Sequence, residues 1–321
     1  MTSPGEGELR GEEIESPNEP GWSTVRAEFG SVSPGTERLV GLGRVPVSCT
    51  KAMSCRYMAG TFDLPIKYGY CLVGTGIEGT LAGKRVFVMH PHQDHVLIED
   101  HHAIPLPDPL PSHRATLIPN TETALNGVWD AEIQQGETSI IVGGGLVGLL
   151  VAFVLRRLDL GSTTVVDVDP QRLEAIARFP FVDRALSTTE LEPDSCSLAF
   201  HTTGTADGLR SALESTGFEG RVIDLSWYGD RPVSLQLGTH FHHERKRLIS
   251  SQVGTIAPLR RGSTSLADRL AEVVDLLQDT AVDDLLGSPI PFESLPILMR
   301  ELYAGNTRDF LPLVQYPTQS A

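Results

Sequence analysis

Cysteine, positive charge and long apolar runs are all scarce in this chain of 321 residues, and each scarcity excludes a class of protein. The four cysteines, Cys49, Cys55, Cys71 and Cys196, include no C-x-x-C pair, which removes a disulfide scaffold and a zinc ribbon. Lys and Arg number 26 against 41 Asp and Glu, a formal net charge of −15. The average field therefore repels phosphate backbones and anionic membranes, so neither nucleic acid nor a membrane is expected as a partner. The longest apolar run, Leu146 to Leu155, has ten residues and meets Arg156 and Arg157, too short to span a bilayer. The first twenty residues carry six Glu and no apolar core, so no signal peptide is read and a cytoplasmic, reducing location is expected.

What is present is a turn-rich globular composition, 40% hydrophobic with 31 Gly and 22 Pro, at a length that suggests about two domains. Residues 1–20, rich in Glu, Gly, Pro and Ser, read as a solvated, disordered acidic tail. From Trp22 the run WSTVRAEFGSV alternates Val25, Ala27 and Phe29 against Thr24, Arg26 and Glu28, the period of a half-buried strand. Short apolar runs separated by Gly and Pro follow, and a compact β-rich segment is expected up to about Arg114. Beyond it, Leu117, Ala124, Leu125 and Val128 fall at near-helical spacing. The stretch from Thr138 to Phe179 then reads strand, glycine turn, apolar helix, strand, helix. With further strands at SLAFHTT and GRVIDLS around a helix at GLRSALEST, this alternation predicts an α/β fold with a doubly wound parallel sheet.

Gly143-Gly144-Gly145-Leu146-Val147-Gly148 satisfies G-x-G-x-x-G directly between the strand SIIV and the apolar helix. In that context Gly143 permits the tight turn, Gly145 lets the backbone approach a pyrophosphate, and Gly148 lets helix and strand pack closely. The helix N-terminus at Leu146 and Val147 then offers free N–H groups to the anion. Asp167, nineteen residues after Gly148, ends the next strand where a carboxylate accepts the adenosine ribose hydroxyls, which favours NAD(H) and leaves NADP(H) possible. Arg172 either stacks on adenine, accepts a 2′-phosphate, or is a solvated arginine at a helix start.

The order of these segments resembles the medium-chain dehydrogenase/reductase superfamily, the alcohol dehydrogenase type, over roughly Trp22 to Gly305. SPGTE (Ser33 to Glu37) is similar to the family's cysteine-glycine-threonine-aspartate turn, and YGYCLVGTG (Tyr68 to Gly76) to its glycine-histidine-glutamate segment. More narrowly, KYGY, PHQ, TETALN, LSWYGDR and SSQVG resemble the branch that contains bacteriochlorophyllide 2-hydroxyethyl dehydrogenase. The resemblance implies a GroES-like β-rich domain over 21–125 and 265–321, a Rossmann nucleotide-binding domain over 126–264, a small-molecule substrate, and a homodimer through the Rossmann sheet edge. It places the three catalytic zinc ligand positions on Pro34, Tyr70 and approximately Pro119. Proline has no side-chain donor and a phenol is a poor one near neutral pH, so no metal is expected.

The same resemblance puts Thr36 where the family has the hydroxyl that contacts the substrate alcohol, and Thr123 where a threonine touches the nicotinamide. Without zinc, Tyr70 either donates a hydrogen bond or proton to a carbonyl, helped by Thr36, or is a core tyrosine. His92, in HPHQDH, is either a proton relay, a substrate contact or loop surface. Glu122 either faces the nicotinamide or joins Glu37 and Asn126 in a buried network. Ser226 follows the strand GRVIDL at its carboxyl end, where open α/β sheets hold their ligands. The expected activity is a zinc-independent, NAD(P)(H)-dependent interconversion of an alcohol and a carbonyl. An enone or quinone C=C reductase, and an NAD(H)-binding sensor or scaffold without turnover, remain as alternatives.

Overall fold

The computed structural model describes residues 1–14, 19–134 and 136–318. The chain divides into two compact units, Met1–Pro119 with Leu285–Ala321, and Asn120–Asp284. In the first unit the strand Trp22–Ser31 is the hub of an antiparallel sheet. It pairs with His95–Glu99 along its first half, with Leu313–Gln315 along its second, and with Leu72–Glu78 on its other side. The alternation read from the sequence holds for Val25 and Ala27, 0% and 1% exposed. It breaks after Ala27, where the register against Leu72–Glu78 shifts and half-exposes Phe29. Val25, Leu72, Val86, Val96 and Ile98 close this core with Leu302 and Tyr303 from the C-terminal helix Leu295–Ala304.

The acidic stretch 1–14 departs from the solvated tail expected of its composition. Gly5 N–H donates to Gly41 O at 2.9 Å, and the Met1 ammonium to Ile66 O at 3.0 Å. Backbone pairing of this kind needs no apolar side chains, so a segment without a hydrophobic pattern still docks. The rest of that expected tail includes Glu15 to Asn18, which lie outside the described residues.

The second unit holds a six-stranded, all-parallel sheet. Its strands in chain order are Ser139–Val142, Thr163–Asp167, Arg184–Ser187, Cys196–His201, Thr216–Asp224 and Arg247–Ser250. Across the sheet they run third, second, first, fourth, fifth, sixth, the doubly wound order whose reversal between the first and fourth strands opens a ligand crevice at the carboxyl edge. Helix Leu146–Arg157, apolar on nearly every side, is buried from Gly148 to Leu155. The helices Ile118–Asp130 and Leu266–Leu276 pack into this unit, whereas boundaries at 125/126 and 264/265 would part Arg269 from Asn126 and Val253. Arg269, 2% exposed, donates to Glu122 Oε1 at 3.0 and 2.8 Å and to Asn126 Oδ1 at 2.6 Å.

A second buried cation fixes the approach to the first strand. Arg221 grips both oxygens of Glu137 at 2.6 Å and donates to Ala131 O at 2.7 Å. Burial alone would raise the Glu137 carboxyl, but the Arg221 guanidinium, Gln134 N–H and Ser197 hydroxyl outweigh it and hold the group at about 2. A carboxyl depressed in the folded state contributes stability above its unfolded pKa of roughly 4.3 and loses that contribution as pH falls toward the folded value. Glu137→Gln is therefore expected to lower stability at pH 7 and to flatten the acid limb between about pH 5 and 2. Urea unfolding at a series of pH values checks this, and a parallel offset at every pH would contradict it.

Candidate functional site

The glycine turn sits at the reversal point of the parallel sheet. Gly143 has φ +112°, and a Cβ there would meet Thr202 Oγ1 at 2.6 Å. A Cβ on Gly148 would lie 2.0 Å from Gly143 O, so helix and turn approach too closely for any side chain. Gly145 differs, because a Cβ there meets nothing within 4 Å and its φ of −79° is ordinary. The space in front of Gly145 is thus open while the space behind Gly148 is filled. The helix that follows, Leu146–Arg157, has no side-chain cap at its N-terminus, which leaves the N–H groups of Leu146 and Val147 at the mouth of the turn.

Asp167 ends the neighbouring strand and reaches back to the turn. Its Oδ2 accepts Gly144 N–H at 2.8 Å and its Oδ1 accepts Asp169 N–H at 3.0 Å. Asp169 caps the helix Pro170–Ile176 by accepting Gln171 N–H, with Arg172 N–H at 3.4 Å, so Arg172 starts that helix half-exposed. On the far side of the crevice, Thr202 Oγ1 donates to Gly143 O at 2.8 Å, and Ser226 Oγ accepts Gly204 N–H at 3.0 Å. Thr123 lies half-buried on the helix Ile118–Asp130. Glu122, on the same helix, is committed to Arg269; burial raises its carboxyl pKa and the guanidinium pulls it back. A carboxylate so paired is poorly placed to carry protons.

A separate cluster forms in the first unit around Tyr70. Its hydroxyl faces the Ser33 and Thr36 side chains, which favour its ionised form. Burial and the Glu37 carboxylate push the phenol well above its usual range, and those two hydroxyls only partly offset them. Glu37, 1% exposed, accepts Ser33 N–H at 2.9 Å through Oε1 and faces His92 Nε2 at 2.8 Å through Oε2. His92 Nδ1 is buried without a hydrogen-bond partner, and the ring lines a cavity of about 610 Å³ that Tyr68, Met299 and Tyr303 also border. Thr36 opens the short helix Thr36–Gly41, which Arg38 ties to the C-terminal helix through Leu302 O at 3.2 Å. The sequence placed Thr36, Tyr70 and His92 in three separate motifs, and the fold brings them together.

The other histidines disperse. His90 stacks on Tyr57 and donates from Nδ1 to Pro91 O at 2.9 Å, burial lowering its pKa to about 4, while His95 faces Asp94. Among the described residues two groups of metal-ligating side chains converge elsewhere, Glu99 with His101 and His102, and His240 with His243 and Glu244. Neither contains a residue of the Tyr70 cluster. Sequence reading passed over Gly144, Thr202, His201 and Asp224. The last two carried a signal, since each is an ionisable residue directly after a short apolar run, Leu198–Phe200 and Val222–Ile223.

Gly148 and Gly145 should respond differently to a methyl group. Gly148→Ala is expected to cost about 1–3 kcal/mol through forced separation of helix and turn, whereas Gly145→Ala should melt with the parent protein. Thermal unfolding of the two variants distinguishes them, and equal losses would contradict the close-approach argument.

No family model matches the chain. It is 23% identical over 257 residues to (R,R)-butanediol dehydrogenase of Bacillus subtilis, covering 68% of this chain and 74% of that one. The solved structure of the Bacillus subtilis 2R,3R-butanediol dehydrogenase superposes with a TM-score of 0.73 at 17% identity, covering 98% of both chains. A short chain alcohol dehydrogenase of Escherichia coli complexed with NADH gives 0.74 at 14% identity, over 98% of this chain and 97% of the other. The yhdH oxidoreductase of Salmonella enterica in complex with NADP gives 0.71 at 19% identity over 98% of both. These relatives and structural neighbours are named dehydrogenases and oxidoreductases. The chain has their fold, a GroES-like β-rich unit together with a parallel Rossmann sheet.

Proposed function

We propose that this protein is a nicotinamide-dependent oxidoreductase that interconverts an alcohol and a carbonyl on a small or medium organic substrate without zinc. The observation that carries the reading is Tyr70, a phenol held protonated by burial and by Glu37 and set beside the Ser33 and Thr36 side chains. A protonated phenol donates a hydrogen bond to a carbonyl oxygen and stabilises the charge that develops there. In the reverse direction it must receive a proton, and the Ser33 and Thr36 hydroxyls connect it to its surroundings. Glu37 and His92 stand behind them as the ionisable pair from which that proton is drawn or to which it is returned. Glu122 is left out of this route because Arg269 holds it.

The donor set at the same place argues against a catalytic zinc. Pro34 and Pro119 offer no side-chain ligand, Tyr70 keeps its proton, and burial pushes the Cys71 thiol beside it up to about 12. Glu37 and His92, already paired, leave two donors where catalytic zinc takes three. The narrower motif likeness to the bacteriochlorophyllide branch is carried as part of this reading.

The residues of the second unit fit a dinucleotide. Gly143, Gly145 and the N–H groups of Leu146, Val147 and Gly148 would hold the pyrophosphate in the open space before Gly145. Asp167, fixed beside the turn by Gly144 and Asp169, would take the adenosine ribose hydroxyls and favour NAD(H), with Arg172 and NADP(H) as the second possibility. Thr123 and Ser226 would face the other half. When bound, the nicotinamide supplies or accepts the hydride. The edge strand Arg247–Ser250 would carry a homodimer.

Tyr70→Phe is expected to lower kcat/KM by roughly 10²–10³ with NADH Kd unchanged, and a chelator should leave wild-type activity intact. Steady-state kinetics on a panel of ketones and enones, with fluorescence titration of NADH, reads both; full activity in Tyr70→Phe, or loss of activity on chelation, would overturn the zinc-free phenol mechanism. Gly145→Ala should weaken NADH by about tenfold or more without loss of stability, and Asp167→Ala should narrow the preference for NADH over NADPH by about tenfold. Calorimetric Kd values for the two nucleotides test these expectations.

A further inference from the structure

The carboxyl edge of the parallel sheet contains a buried ionisable pair that the proposed chemistry does not use. His201 and Asp224 end adjacent strands and are register partners, directly after the apolar rungs Ala199 with Val222 and Phe200 with Ile223. His201 is fully buried, and its Nδ1 lies 2.9 Å from Asp224 Oδ1. The same carboxylate accepts Ser226 N–H at 3.0 Å and the Tyr228 hydroxyl at 2.9 Å. Three converging donors identify it as ionised, so Nδ1 carries a proton. Burial opposes that charge, and the His201 hydrogen bond and its companions outweigh the cost, holding Asp224 below its ordinary range.

The other ring nitrogen faces the opposite segment. His201 Nε2 lies 2.7 Å from Thr203 Oγ1, which accepts Thr205 N–H at 3.1 Å and stands 2.8 Å from Thr205 Oγ1. Thr205 Oγ1 in turn accepts Gly208 N–H and caps the helix Ala206–Ser215. Two further ties run between the segments that leave these strands. Gly204 N–H donates to Ser226 Oγ at 3.0 Å, and Arg231 donates to Gly204 O at 2.9 Å and to Tyr228 O at 3.2 Å. One imidazole thus sets residues 202–205 relative to 225–228.

A buried ion pair is a weak source of stability compared with apolar residues of similar volume. Its place here is informative: it occupies the last rung of the fourth and fifth strands, beside the reversal point where open sheets of this order bind ligand. Thr202, the next residue, already touches the glycine turn through Gly143 O. We infer that His201 and Asp224 form a positioning pair that holds segments 202–205 and 225–228 ready for the nicotinamide half of the dinucleotide. The inference rests on the oxidoreductase reading, because it presumes a nicotinamide. Neither residue is required to touch the reacting atoms.

The test compares ADP, which lacks the nicotinamide half, with NADH on the intact protein. In His201→Ala, NADH Kd is expected to rise about tenfold while ADP Kd stays within about twofold, since Asp167 and the glycine turn are untouched. His201→Asn, whose amide N–H can replace Nδ1–H toward Asp224, should recover most of the loss. If ADP and NADH weaken together the pair is only structural, and if neither weakens it has no positioning role; either result overturns the inference. Should His201→Ala fail to fold, Tyr228→Phe removes a half-exposed hydroxyl that donates to Asp224 Oδ2 at 2.9 Å and lies 3.3 Å from His201 Nδ1, and NADH Kd should rise about threefold with ADP unchanged. An unchanged NADH Kd there overturns it equally. Wild-type protein that binds ADP but binds NADH no more tightly would instead defeat the oxidoreductase reading.

Discussion

The second unit is organised by one close approach, the contact of Gly148 with Gly143 O behind the glycine turn. It lets an apolar helix lie flat on the first strand, which in turn places uncapped N–H groups at the reversal point of the sheet. Asp167 completes the arrangement from the second strand, and Thr202 staples the turn from the fourth. The chain's net charge of −15 does not prevent anion binding there, because the attraction comes from a few oriented backbone dipoles at contact range while the distributed charge is screened.

The first unit is governed by a different constraint, the removal of ionisable groups from water around Tyr70. A buried carboxylate beside a phenol makes ionising the phenol expensive, so the hydroxyl remains a donor through the neutral range. Glu37 can stay buried because Ser33 N–H and His92 satisfy its two oxygens. In the second unit Glu122 and Glu137 meet the same requirement through Arg269 and Arg221. Three carboxylates are thus withdrawn from water in partnered form.

Much of this was legible in the residues themselves. The alternation of strands and helices from Thr138 onward, the spacing of Gly143, Gly145 and Gly148, and the carboxylate at Asp167 are local patterns whose period reports the element directly. The unit boundaries were less legible, since the tie between Asn126 and Arg269 spans 143 positions of sequence. The docking of residues 1–14 was hidden because backbone hydrogen bonds leave no mark in composition. The break in the strand at Phe29 was hidden because a register shift depends on the partner strand.

By itself the sequence determined the parallel sheet and the glycine turn with its nearby carboxylate, because each is a property of neighbouring residues. Only the tertiary structure decided that Thr36, Tyr70, Glu37 and His92 share one cluster, that Glu122 belongs to Arg269, and that His201 meets Asp224 on the last rung of two strands. Those pairings join residues far apart in the chain, and the free energy that selects them comes from burial and from satisfying polar groups in three dimensions, which no local pattern encodes.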